Sequence, residues 1–135
     1  MPAFVSNEIH ALKVKTMDSK SIHDSLQDLN QLVISGKLLD AFDKYYHENV
    51  AMQENENPPV VGKPLNRERE ITFLNNIEEF RSASVEGIGT GNDISFVIWN
   101  YDYTHREWGV RKFRQVSVQF WQDGKIIKEQ FFYNN

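Results

Sequence analysis

Apolar residues recur at helical spacing through the first half of the chain and alternate with polar ones through the second. After an arm of residues 1–19, in which "EIHALKVKT" alternates only weakly, Ile22, Leu26, Leu29, Leu32 and Val33 fall on one helical face. Ser21 and Asp24 stand before that face at capping-box spacing, and Gly36 closes it. Leu38, Leu39, Phe42, Tyr45 and Tyr46 share a face of "KLLDAFDKYYHEN", a second amphipathic helix. "VAMQE" reads as a brief strand and "NENPPVVGKP" as a loop, because Asn and Pro dominate it. Pro64 suits the first turn of a third helix that runs to about Phe80, with Ile71, Leu74, Ile77 and Phe80 inward.

From Arg81 onward the period is two. Four strands are predicted, starting near Arg81, Asp93, Val110 and Lys125, with hairpin turns at residues 91–93 and at Asp123-Gly124. The fold class is therefore α+β: three N-terminal helices on a curved, mixed and mostly antiparallel sheet, in a single domain over residues 20–135.

A two-residue loop at Asp123-Gly124 sets Gln122 opposite Lys125, Phe120 opposite Ile127, Val118 opposite Glu129, Val116 opposite Phe131 and Arg114 opposite Tyr133. The wider "HREWG" loop places Ile94, Phe96, Ile98, Asn100 and Asp102 on that same face. One face is then apolar at one end and polar at the other, which suits a cone open to a small molecule. Its expected pocket residues are Tyr46, Phe96, Ile98, Asn100, Asp102, Arg114, Val116, Val118, Phe131 and Tyr133. The opposite face carries Trp99, Tyr101, Tyr103, Phe113, Gln115, Trp121 and Phe132, an aromatic set expected to form a homodimer interface through the outer side of the sheet.

Composition narrows the classes. The chain has 135 residues, 40% hydrophobic and 25% charged, ordinary for one globular domain, and no apolar run is long enough to span a bilayer. The net charge of -4 disfavours nucleic acid and anionic lipid, and the bases of "RKFR" alternate between strand faces. Cysteine is absent, which removes thiolate chemistry, and the first residues lack the pattern of a secretory leader, so a cytoplasmic location is expected. His10, His23, His47 and His105 show no pairing at metal-ligand spacing, so neither metal nor cofactor is expected.

Two helices around a glycine, a short strand, "GKPLNREREITFLNNIEEF" and the terminal "FWQDGKIIKEQFFYN" hairpin together resemble the SnoaL-like branch of the nuclear transport factor two-like superfamily, over about residues 20–134. The resemblance implies a cone-shaped α+β fold with a pocket between sheet and helices, commonly in dimers. It places a general-base carboxylate at Glu54, as in ketosteroid-isomerase-like members. The oxyanion-stabilising positions of those members fall near Leu29 and Val116, which carry no donor, and the His and Asp of the cyclase members are replaced by Glu129 and Phe131.

The candidate catalytic pair is Glu54 and Glu129, since a carboxylate in apolar surroundings exchanges protons near neutral pH. Salt bridging of Glu129 by Arg114 would remove that role. Two functions fit. One is cofactor-free proton transfer of isomerase, dehydratase or cyclase type on a small, mostly apolar molecule. The other is a non-catalytic dimeric module that binds a ligand or acts as an adaptor.

Overall fold

The computed structural model of the chain describes residues 16–134. Most of the arm expected over residues 1–19 lies outside this range. Its last part is anchored: the Met17 N–H donates to the Asp93 carboxylate at 2.7 Å, and the Asp93 N–H returns a bond to the Met17 carbonyl at 2.9 Å.

Helix α1 spans Ser19–Ile34. Asp18 caps it by accepting the Ser21 N–H at 2.8 Å, and Gly36, at φ 79, ends it by letting the Lys37 N–H reach back to the Leu32 carbonyl. Helix α2 follows at Leu38–Tyr45, and strand β1 begins directly at Tyr46 and runs to Glu54. Strand β2 is the two-residue Val60–Val61, and helix α3 covers Lys63–Asn75. Then come β3 (Ile77–Gly91), β4 (Ile94–His105), β5 (Gly109–Gln122) and β6 (Lys125–Tyr133).

The expected third helix is thus too long by about one turn. Ile77 and Phe80 belong to β3, where they pair with His105 and Tyr103 of β4, and Phe80 is half exposed. Twelve residue pairs join β3 to β4, and that ladder outweighs the weak helical periodicity of "NNIEEF".

Six strands form one sheet in the order β2-β1-β6-β5-β4-β3, antiparallel except for the parallel β1–β6 pair. The expected face sharing of Phe96 with Val118 and Ile98 with Val116 holds across β4 and β5. The last hairpin opens as expected, with Gln122 opposite Lys125, and Asp123 and Gly124 both take positive φ. Beyond that point the expected register fails. Trp121 pairs with Ile126 but Phe120 with Lys128, so Ile127 is an extra residue, and Glu129 faces Gln119 rather than Val118. A one-residue bulge sends every later side chain of the strand to the other face.

The helices cover one face of this sheet. Ile22, Leu26 and Leu29 of α1 and Ala41, Phe42 and Tyr45 of α2 pack with Val50, Met52, Val97, Trp99, Trp121 and Ile126 in one buried cluster. Trp99, Tyr103 and Trp121 are at most 5% exposed, so they belong to this inner face and not to an outer interface. That corrects the expected division of the sheet: the aromatics lie inside, and Phe96, Ile98, Val116 and Val118 lie outside.

Asn66 fixes the start of α3. It is fully buried, and its amide donates to the carbonyls of Val50, Val60 and Gly62 at 3.3, 3.0 and 2.9 Å. Asn66→Ala leaves these carbonyls without that donor and opens a small void, so it should cost about 2–3 kcal/mol in urea unfolding. A loss under about 0.5 kcal/mol would mean that this clamp does not hold the helix.

Candidate functional site

The bulge at Ile127 brings Glu129 onto the inner face, where it is 4% exposed. Tyr46, at the junction of α2 and β1, donates its hydroxyl to one carboxylate oxygen, and Gln119 donates its amide to the other at 2.8 Å. The Gln119 carbonyl accepts the Ser95 hydroxyl at 2.7 Å, and Ser95 accepts the Trp121 indole N–H at 2.9 Å. This chain runs through three adjacent strands and leaves Glu129 with two neutral donors. Burial still pushes its carboxyl up to about 7, with Glu54 adding to the rise and the bonds from Tyr46 and Gln119 opposing it.

Two further carboxylates approach from other elements. Glu54 ends β1 and pairs with Phe131 across the parallel ladder, which puts it on the side of Glu129. Glu70 stands on α3, half-buried, with no hydrogen bond or ion pair among the described residues. Its carboxyl is pushed up to about 7, chiefly by burial and then by the charges of Glu129 and Glu54, with Arg69 opposing. Phenols complete the surroundings. Burial, followed by Glu129 and Glu70, holds Tyr101 well above the ordinary phenol range, and burial with Glu54 pushes Tyr133 up to about 12.

The rings form a continuous wall. Tyr101 stacks on Trp99 at 5.3 Å between centroids and meets Phe113 at 5.8 Å; Phe113 in turn contacts Tyr133 at 5.6 Å and Tyr103 at 6.0 Å. Tyr101, Phe113, Gln115, Phe131 and Tyr133 all keep partial exposure. The inner face is thus buried beneath α1 and α2, and partial exposure is confined to side chains toward its carboxylate end.

Of the residues expected in the pocket, Tyr46, Phe131 and Tyr133 gather with Glu54 and Glu129. The others do not. Arg114 grips Glu86 on the outer face instead of reaching Glu129, Asn100 donates to the same Glu86 at 3.1 Å, and Asp102 takes Arg81 at 2.8 Å. Phe96 lies across Gly89, where a Cβ would meet its ring at 2.2 Å, and lines an outer apolar cleft of about 580 Å³ with Ile98, Val116 and Val118. Of the expected interface set, Phe132 faces outward at 38% exposure, whereas Trp99, Tyr101, Tyr103, Phe113, Gln115 and Trp121 share the face of Glu129.

Glu70 and Gln119 were not anticipated. Asn66, Glu70 and Phe73 share one face of α3, a stripe with two polar members that hydrophobic periodicity passes over. His10 lies outside the described residues, and His105 accepts the Glu107 and Trp108 N–H groups in the β4–β5 turn. Among the described residues no three His, Asp or Glu side chains converge as a metal site would require, and no helix is long and apolar enough to cross a membrane.

Three helices on a six-stranded mixed sheet, with acidic and aromatic side chains at one end of the covered face, define a nuclear transport factor two-like fold. Within that class, residues 17–133 match the SnoaL-like domain family, and the chain belongs to it. A candidate SnoaL-like polyketide cyclase from Mesorhizobium loti is 27% identical, covers 83% of this chain and 98% of its own, and superposes with a TM-score of 0.75. A second such candidate, from a Jannaschia species, gives 11% identity, coverage of 86% and 87%, and a TM-score of 0.74. A protein of unknown function from Burkholderia xenovorans shares the fold at 14% identity, 86% and 84% coverage, and a TM-score of 0.68. A comparison with curated proteins gives no match.

The raised carboxyls make folding pH-dependent with a definite sign. A folded Glu70 near pKa 7, against an ordinary value of 4.5, holds a proton that the unfolded chain has released. Stability therefore falls as pH rises from about 4.5 to about 7. The aspartates held low by ion pairs or caps titrate below this window. Urea unfolding at pH 5 and pH 8 should show a loss on the order of 2 kcal/mol, reduced in Glu70→Gln. An equal loss in that variant would show that Glu70 does not titrate as described.

Proposed function

We propose that this chain binds a small, mostly apolar organic molecule against the inner aromatic wall and moves a proton on it without a cofactor, as isomerases, dehydratases and cyclases do. The observation that carries this reading is a carboxylate without hydrogen bond or ion pair among the described residues, Glu70, which burial and the charge of Glu129 push up to about 7 and whose own charge acts on Tyr101. Glu70 takes a proton from carbon next to a substrate carbonyl, and the Tyr101 phenol, held well above its ordinary range, remains a hydrogen-bond donor for the oxygen that gains charge. Glu54 tunes both carboxyls through its charge and offers a second acceptor.

Exchange of the α-protons of 2-tetralone in D2O, followed by NMR, tests this directly. The wild type should exceed the buffer rate, and Glu70→Gln should lose at least about 100-fold of that excess. Exchange at the buffer rate in the wild type, with binding retained, would leave the alternative of a ligand-binding or adaptor module. That alternative is favoured by one feature, the complete hydrogen bonding of Glu129 by Tyr46 and Gln119.

We also place a homodimer contact on the outer face of the sheet, where Phe96, Val116, Val118 and Phe132 are not covered by the described helices. Val118→Asp should convert a dimer to a monomer in light scattering without changing the circular dichroism spectrum. A wild type that is monomeric at about 100 μM would rule the contact out.

A further inference from the structure

The outer face of the sheet holds a trough at one end. Gly87, Gly89 and Gly91 of β3 stand opposite Ile98, Phe96 and Ile94 of β4, so the β3 side of this face carries no side chain at successive outward positions. What remains is the apolar cleft of about 580 Å³ against Ile98, Val116 and Val118, in which Ile94 and Phe96 are 40% and 41% exposed. Contiguous apolar surface of this kind is costly in water unless a second apolar surface covers it. Further along the same strands Ser82, Asn100, Asp102 and Lys112 line a second cleft of about 310 Å³. There Asp102 is bound by Arg81, whereas Lys112 has no hydrogen bond or ion pair among the described residues.

The described residues begin at the lip of the apolar cleft. Met17 exchanges two hydrogen bonds with Asp93, in the turn between Gly91 and Ile94, and the Ser19 and Thr90 hydroxyls meet at 2.6 Å. Residues 1–15 precede that anchor, and their length and pattern both match the outer face. An extended segment advances about 3.3 Å per residue, the pace of β4 itself. Counted back from Met17 as β4 is counted forward from Asp93, Val14 comes level with Phe96, Leu12 with Ile98, His10 with Asn100 and Glu8 with Asp102. Asp102 pairs with Lys112 on β5. A period of two thus brings two apolar residues to the apolar cleft and an acid to the unpartnered lysine, with Lys13 and Lys15 alternating to the water side.

We propose that the occupant of the outer cleft is the chain's own arm, residues 1–15, laid along β4 from the Asp93 anchor with Val14 and Leu12 in the cleft and Glu8 beside Lys112. A segment tethered at the cleft's edge acts at an effective concentration in the millimolar range, which favours it over the arm of a second molecule. The arm takes the β3–β4 side of the outer face and leaves Phe132, on β6, open to a second copy. The proposal therefore depends neither on the dimer contact nor on the inner face.

Because the chain has no cysteine, one engineered pair tests this without background. In Leu12→Cys/Ile98→Cys, oxidised at about 1 μM after its reduced form is shown to have the wild-type circular dichroism spectrum, an intramolecular disulfide should form. It should close at least about tenfold faster than in Leu12→Cys/Glu68→Cys, whose second site is exposed on α3. Closure no faster than in that control, or none, overturns the proposal. A covalent dimer formed at the fast rate also overturns it, and assigns the cleft to the arm of a second copy. Removal of residues 1–15 supplies an independent readout: the fluorescence of the apolar dye ANS should rise several-fold on the folded protein, and an unchanged signal would count against the arm as cover.

Discussion

The extra residue in β6 is the constraint on which the rest of the inner face depends. Without Ile127 out of register, the strand would carry Glu129 to the outer side of the sheet with Val118, away from Tyr46 and Gln119. With the bulge, Ile126 stays in the core while Glu129, Phe131 and Tyr133 turn inward after it. The same step puts Gln119 opposite Glu129, so that one amide satisfies the acid and is itself oriented by Ser95 and Trp121. Bulges bend and twist the strand that holds them, and here this happens beside the parallel partner β1, which delivers Glu54.

Keeping acids inside has to be offset by packing. The cluster beneath α1 and α2 includes two tryptophans and several fully buried aliphatic side chains, each contributing about 1.5–3 kcal/mol relative to exposure. That core lies at the helix-covered end of the sheet, while the acids occupy the end where the aromatics keep partial exposure. Stability and candidate chemistry are thus separated along one face. Tyr46 joins the two regions: it stacks on Phe42 at 4.7 Å in the core and gives its hydroxyl to Glu129.

Most of the fold was legible in the sequence because its signals are local. The spacing of Ile22, Leu26 and Leu29, the stop at Gly36 and the Asp123-Gly124 turn each point to one local structure. The length of α3 was not, because Ile77 and Phe80 continue a helical period and only the distant β4 recruits them to a strand. The site was legible in part. Glu54, Glu129, Tyr46, Phe131 and Tyr133 were singled out and do gather, but the bulge exchanged the two faces of β4 and β5 relative to Glu129. Nothing between Asp123 and Glu129 announces a bulge: "GKIIKE" alternates no better with Ile127 inside the ladder than outside it. Glu70 escaped because its neighbours on the helix face, Asn66 and Phe73, make a mixed polar stripe.

Hydrogen bonding then distinguishes two acids whose carboxyls are both raised chiefly by burial. Glu129 receives two donors and faces no acceptor that a proton of its own would need, so its ionised form is the one its partners are built for. Tyr46 is held well above the ordinary phenol range and keeps its proton, and the Gln119 amide cannot reverse its role while its carbonyl is bound to Ser95. Glu70 has no donor to lose. The rise of its carboxyl comes first from burial and then from the negative charge of Glu129. The acid on α3 is thus free of the hydrogen bonds that constrain the buried acid on β6, and burial raises the carboxyls of both.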